Sequence, residues 1–337
     1  MAGPDDDLTE ETMIATYFAP LASGVAGAFG LADDCALITP APGHDLVVKT
    51  DPIAEGVHFL AGDAPEDIAW KALAVNVSDL AAKAATPRAY LMAISFPTAP
   101  QRGWLEAFTR GLAEAQAAFA MHLIGGDTDR RPGPVTISMT VFGEVTRDAY
   151  VPRAGAAPGD QLFVSGTLGD AALGLELRRD PMLAHQLGVR PEDTRYLVNR
   201  SRRPQPRLAL RTALVRHARA AMDLSDGLAK DLGRMMRAAH TGARVAFEAL
   251  PVSPPARAVL GHFDDADAKI AATGDDYEIL AAVGPEDVAG FVAMAALAGV
   301  PVTRIGMVTA EPEVIIQKGG IAMAFPSLGY DHFAART

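Results

Sequence analysis

Aspartate recurs in this chain beside small residues and apolar runs, at Asp33-Asp34, Thr50-Asp51, Asp79, Gly125-Gly126-Asp127 and Asp223-Leu224-Ser225-Asp226. Carboxylates spaced this way and gathered by folding would line a hard, oxygen-rich pocket. Such a pocket repels phosphate unless divalent cations sit inside it, and Mg²⁺ characteristically takes carboxylates together with substrate phosphates. The pattern points to metal-dependent phosphate chemistry. Asp79 is the most telling residue, because the spacing Ile68, Ala72, Val75, Asp79 sets it on the apolar stripe of a helix. An ionised carboxylate is costly there unless paired or metal-bound; an i, i+4 pair with Lys83 explains it equally well.

Thr50-Asp51 and Gly125-Gly126-Asp127 each follow an apolar run and read as the carboxyl ends of strands, where open α/β sheets bind ligands. The paired glycines would let backbone approach a ligand closely. Asp33-Asp34 alone fits a turn ahead of CALITP, since Asp favours turns. Asp223-x-Ser225-Asp226-Gly227 opens a helix: capping accounts for one of its oxygen side chains, and a helix start also attracts phosphate. Gly274-Asp275-Asp276-Tyr277-Glu278 joins two strand-like runs. Arg153 suits either a phosphate clamp or a solvated position, His58 a half-buried imidazole, and Cys35 a small buried side chain opening a strand.

No two glycines are spaced G-x-G and no Gly-Lys dipeptide occurs. The dinucleotide fingerprint, the protein-kinase glycine loop and the Walker A loop are therefore absent. Formal net charge is −11, from 41 acids against 30 bases, which argues against nucleic acid as a partner. The single cysteine leaves no intrachain disulfide and fits a reducing cytosol. The start, MAGPDDDLTEET, lacks a signal-peptide pattern, and the apolar stretch around 281–300 falls short of a membrane span. A cytoplasmic protein without membrane partners is expected.

The elements that must position these residues follow from periodicity. Helices are expected over 10–19, 65–85, 101–119 (Leu105, Phe108, Leu112 and Phe119 inward), LGDAALGLELRR, the segment after Gly227 (Leu228, Leu232, Met235 and Ala239 inward), and 285–298. Gly242 suits a helix C-terminal cap. Strands are expected at DCALITP, HDLVVKTDP, YLMAISFP, HLIGGDTD, PVTISMTVFGEV, DQLFVSG, AAMDLSDG, ARVAFEAL, KIAATGDDYEILAAVG and VTRIGMV. Residues 178–207, with eight arginines, read as a solvated, irregular excursion. The turn-rich RDAYVPRAGAAPGD divides the 337 residues into two α+β domains, 1–148 and 149–337.

In order along nearly the whole chain, ADDCALI, KTDPIAEGVHF, KALAVNVSDLAAKAATPRA, LIGGDTDR, RAGAAPGD, VSGTLGDAALGL, MDLSDGLAKDLG, TGDDYEIL, IGMV and GYDHF resemble the thiamine-monophosphate kinase family. That family belongs to the superfamily of aminoimidazole ribonucleotide synthetase. The resemblance implies an N-terminal α+β domain that binds metal and ATP and dimerises, followed by a larger α+β domain. It implies that Asp34, Thr50, Asp51, Asp79, Asp127, Asp223 and Asp226 hold several Mg²⁺ ions, with Asp33 a lesser candidate. Gly126, Asp127, Arg153 and Ser225 would contact ATP. His58, Asp275 and Tyr330 would line the thiamine-phosphate pocket, Tyr330 by stacking. The implied reaction moves the γ-phosphoryl of ATP directly to thiamine monophosphate, with Asp51, Asp127 and Arg153 acting electrostatically and no acid or base. Two alternatives remain, a relative that activates a carbonyl or amide oxygen and a metal-dependent phosphatase. The chain departs from the family at Ala32, where Gly is usual, at Lys49, where Ser is common, and at Asp275, where Glu is frequent.

Overall fold

The computed structural model describes residues 8–325 and 327–330; Asp331, His332 and Phe333 of GYDHF lie outside them. Backbone contacts divide the chain into two units, one of residues up to Leu80 plus Ala85–Asp148, the other of Ala81–Ala84 plus the residues from Ala149 on.

The first unit begins with α1 (Glu10–Met13), whose start is fixed by a reciprocal pair of Thr9 and Thr12 side-chain bonds. The helix expected over 10–19 then continues as a π turn, Ile14–Phe18, and a 3-10 turn, Ala19–Ala22. Four strands follow, β1 (His44–Ala54), β2 (Thr86–Phe96), β3 (His122–Arg130) and β4 (Thr136–Thr146), in the order β1-β4-β2-β3. Only the β2–β3 pair is parallel. It is joined through α3 (Arg102–Phe119), as parallel neighbours require a crossover. Helix α2 (Pro65–Ala82) packs against α3 so closely that a Cβ on Gly111 would stand 2.4 Å from the Glu66 carbonyl oxygen. The expected inward faces hold: Ile68, Ala72 and Val75 of α2 and Leu105, Phe108, Leu112 and Phe119 of α3 are buried.

DCALITP is not a strand. Residues 35–41 carry no regular structure. The segment lies against the 3-10 turn Ala26–Leu31, with Leu37 N–H donating to the Gly27 carbonyl at 2.9 Å, so its backbone bonds a turn instead of a ladder. Cys35 is consequently exposed, not buried.

The second unit is built on a seven-stranded sheet, β11-β10-β7-β9-β5-β8-β6. Its strands are β5 (Gln161–Ser165), β6 (Ala218–Asp223), β7 (Gly242–Ala246), β8 (Ile279–Val283), β9 (Val302–Thr309), β10 (Val314–Lys318) and β11 (Ile321–Ala322). Strand alternation feeds two cores. Leu162, Val164, Leu280 and Ala282 enter one cluster, while Phe163, Ala281 and Val283 enter the other. The first cluster includes residues of α4 (Asp170–Arg179), α6 (Pro191–Arg202), α8 (Leu228–Ala239), α9 (Pro254–Leu260) and α10 (Ala266–Ala271), with the short α5 (Leu183–Gln186) packed on it. The second takes α7 (Arg211–His217) and α11 (Val288–Leu297).

Three expectations fail here for identifiable reasons. Residues 178–207 are not a solvated excursion: the end of α4, α5 and the 12-residue α6 lie in the segment, and α6 buries Arg200, because a buried acid, Glu278, awaits it. The expected cap Gly242 instead starts β7, where a Cβ would meet the Glu311 carbonyl oxygen at 1.9 Å; His240 takes the left-handed cap position of α8. KIAATGDDYEILAAVG is not one strand, since α10 ends at Ala271 and β8 begins at Ile279, with a loop between. Among the described residues no helix is long and apolar enough to cross a membrane.

Candidate active site

Thr50-Asp51 and Gly125-Gly126-Asp127 lie inside their strands, not at strand ends. The ladders continue past the acids, Ala54 opposite Thr136 and Arg130 opposite Phe96, because β4 and β2 extend that far. Successive strand residues alternate faces, so Thr50 and Asp51 point apart. Thr50 Oγ1 accepts from Thr140 Oγ1 at 3.1 Å on one face. On the other, Lys49 stands between two acids, its Nζ 3.0 Å from Asp51 Oδ2 and 2.9 Å from Asp79 Oδ2 of α2. Burial disfavours that ammonium, but Asp79 and Asp51 outweigh it and raise the Lys49 pKa above its ordinary value. Asn76, buried on α2, fixes the pair: its Oδ1 accepts the Asp51 N–H at 2.8 Å and its Nδ2 donates to the Asp51 carbonyl at 3.3 Å.

A cavity of about 720 Å³ opens on the first unit, with Asp33, Asp34, Gly126, Asp127 and Thr128 in its wall beside Leu46, Thr140 and Phe142. Gly126 is required by packing before any ligand is considered, since a Cβ there would stand 1.9 Å from the Met92 carbonyl oxygen. Asp127 Oδ1 accepts the Thr128 N–H at 2.9 Å, and Asp33 Oδ1 accepts the Cys35 N–H at 3.4 Å. His58 is half-buried, and its Nδ1 accepts the Ala54 N–H at 3.0 Å, which leaves the neutral ring's proton on Nε2.

In the second unit the expected residues converge on one turn. Asp223 ends β6, buried. Asp275 N–H donates to the Ser225 carbonyl at 2.9 Å, Tyr277 N–H to the Leu224 carbonyl at 2.9 Å, and Tyr330 N–H to the Asp226 carbonyl at 3.0 Å. Lys230 also bonds the Tyr330 carbonyl. Neither Ser225 nor Asp226 caps α8; Gly227 holds the cap position without a side-chain bond. The turn is shaped instead by Asp231, whose Oδ2 accepts the N–H groups of Ser225 at 3.1 Å and Asp226 at 2.9 Å. Asp226 pairs with Arg234 at 2.6 Å and Lys230 at 3.5 Å. Arg153 is exposed.

Sequence reasoning overlooked Asn76, Asp231, Arg200 and Arg207, and it named Asp276 and Glu278 within the Gly274–Glu278 stretch without giving them a role. Glu278 is fully buried and accepts from Arg200 Nη2 at 2.9 Å, Arg207 Nε at 2.6 Å and Ser165 Oγ at 2.6 Å. Asp276 accepts the Gly169 N–H. This network anchors the loop that carries Asp275, a residue held at φ 74°. The signal available for Asn76 was a polar residue three positions from Asp79, directly after the apolar run Ala72–Val75.

Carboxylate and hydroxyl oxygens are the donors a hard divalent cation takes, and Asp33, Asp34 and Asp127 bring such oxygens to the cavity wall. The Asp51–Asp79 pair is closed to one, because an ammonium already stands at hydrogen-bond distance from both. Among the described residues no three His, Cys, Asp or Glu side chains form a metal-holding group.

The chain matches the AIR synthase related proteins in both units: the N-terminal domain model of that family matches residues 32–145 and the C-terminal domain model residues 157–319. A thiamine-monophosphate kinase of Caulobacter vibrioides is 42% identical over 301 residues, 88% of this chain and 83% of that protein. The crystal structure of thiamine-monophosphate kinase from Stenotrophomonas maltophilia K279a superposes with a TM-score of 0.78 at 38% identity, covering 87% of this chain and 90% of that one. AaThiL complexed with AMPPCP and TMP superposes at 0.75 with 29% identity, covering 88% and 89%. Within the AIR synthase related class, the chain belongs to the thiamine-monophosphate kinase family.

Proposed function

We propose that this protein transfers the γ-phosphoryl group of ATP to the phosphate of thiamine monophosphate, releasing thiamine diphosphate and ADP. The observation that carries this reading is agreement across both domains, over 88% of this chain, with a thiamine-monophosphate kinase at 42% identity and with a neighbour complexed with AMPPCP and TMP.

The acceptor phosphate is already anionic, so no general base is needed and the obstacle is repulsion between two polyanions. Phosphoryl transfer rests mainly on alignment and electrostatic stabilisation. Asp34, Thr50, Asp127 and Asp223 are the residues that would hold magnesium, whereas Asp226, expected among them, already pairs with Arg234 and Lys230. When bound it supplies positive charge against the phosphates, worth about 4 kcal/mol per unit charge pair ~4 Å apart at an effective dielectric of ~20. Gly126, Asp127, Arg153 and Ser225 serve ATP, the exposed Arg153 as a clamp on its phosphates. His58 keeps its proton on Nε2 and so offers a donor to the substrate phosphate. Asp275 and Tyr330 complete the thiamine side, with Tyr330, held by its backbone to the Asp226 turn, stacking on an aromatic ring.

The domain of residues 1–148 takes metal and ATP and pairs two copies of the chain into a homodimer; residues 149–337 supply the Ser225 and Asp275 turns. The acidic balance and single cysteine support a cytoplasmic location. Mass analysis of products from ATP, Mg²⁺ and thiamine monophosphate tests the reaction. Thiamine diphosphate and ADP in equal amounts are expected. Free phosphate without thiamine diphosphate would make the protein a phosphatase and overturn the reading.

A further inference from the structure

We infer that Lys49 takes the place of a divalent cation between Asp51 and Asp79, so that this pair is closed to metal and carries its counter-charge on the chain itself. The geometry is specific. One ammonium lies 3.0 Å from Asp51 Oδ2 and 2.9 Å from Asp79 Oδ2, joining β1 to α2. Magnesium binds carboxylate oxygen at about 2.0–2.1 Å and demands near-octahedral space. An ion placed between these oxygens would therefore collide with Nζ, and the two cations would also repel each other.

The site around the ammonium is built, not incidental. Asn76 grips the Asp51 backbone through both of its amide groups and so fixes the strand against the helix at this level. Asp79 sits on the face of α2 whose neighbours Ala72 and Val75 are buried, where a carboxylate needs a permanent cation. A covalently tethered ammonium is present at every metal concentration, whereas an ion is lost when metal is scarce. Lys49 brings a single charge to two carboxylates, so the pair keeps a net negative charge that a divalent ion would have cancelled.

Lys49 matters in this way only if the surrounding acids serve as cation holders, as proposed above, and the test separates the two ideas. Mn²⁺ binding is counted per chain by the electron paramagnetic resonance signal of the free ion, for the wild type and for Lys49→Ser and Lys49→Met. Each variant should bind one more Mn²⁺ than the wild type; equal counts overturn the inference. Circular dichroism reports whether each variant folds. If neither does, the wild type decides: an anomalous manganese peak between Asp51 and Asp79 in soaked crystals overturns the inference, and manganese bound elsewhere with none at that pair upholds it. A protein that gives the expected counts yet makes no thiamine diphosphate would remove the proposed reaction and leave the Lys49 assignment intact.

Discussion

Carboxylates in this protein meet their charge in different ways, and the differences sort their roles. Asp127 faces a cavity with Asp33 and Asp34 in the same wall, an arrangement that accumulates negative charge where a substrate could enter. Asp127→Asn keeps the shape and removes the charge. Turnover should fall at least about 100-fold, the scale of losing one electrostatic stabiliser, with the circular dichroism spectrum unchanged; near-normal ADP release at saturating Mg²⁺ would contradict the role. Glu278 is the opposite case, a buried acid already matched by Arg200 and Arg207. Glu278→Gln strands those guanidiniums and should destabilise the protein by about 3 kcal/mol, measured by urea unfolding. Asp79 was readable in the sequence because one helix period carries the signal. Arg200 and Glu278 were not, since their contact spans 78 positions and no local pattern records it. An arginine-rich stretch looks solvated until its buried partner is known.

At the scale of elements, the loop between α10 and β8 does more than connect. Asp276 within it is enclosed, and desolvation raises its pKa well above the ordinary 3.8; the Asp170 and Glu278 carboxylates add to the rise, while the Gly169 N–H and Arg200 oppose it. A proton is therefore held more tightly in the folded state than in the unfolded one. The stability this contributes is complete below the unfolded-state value and is lost as pH rises through the folded one. Asp276→Asn should remove that slope. In urea unfolding from about pH 4 to about pH 8, the wild type should lose stability relative to the variant as pH rises; parallel profiles would exclude Asp276 as the cause. The long elements α2, α3, β1 and β4 were legible because their periods run for many residues. DCALITP was misread because a short apolar run names no partner strand, and strand pairing is a tertiary event. The loop after Ala271 was hidden for the converse reason: its polar residues are satisfied by distant groups, so nothing local separates it from a strand. The acid-bearing pieces were legible as a set, while their placement inside strands was not, because a sequence does not show how far the neighbouring ladder extends.

For the whole molecule, the sheet of the first unit poses a question of coverage. One face is sealed by α2 and α3; on the other, Leu46 and Val48 of β1 stand 38% and 56% exposed. They alternate with Lys49 and Asp51, so a strand that anchors the site on one side presents apolar side chains to solvent on the other. A second copy of the chain is the occupant proposed for this face, and a two-fold interface would bring the same patch of each copy together. A stable pairing of this kind buries on the order of 800 Å² per partner, with two buried aliphatic side chains from each copy near its centre. Placing a charge there should break it, because an unpaired carboxylate cannot be desolvated cheaply. Light scattering during size exclusion should give twice 35.3 kDa for the wild type and the single-chain mass for Leu46→Glu with Val48→Glu. The monomeric variant should keep the circular dichroism spectrum of the wild type, which separates loss of pairing from loss of fold. A wild type that elutes as a monomer at micromolar concentration, or a double variant that stays dimeric, would show that β1 does not carry the interface.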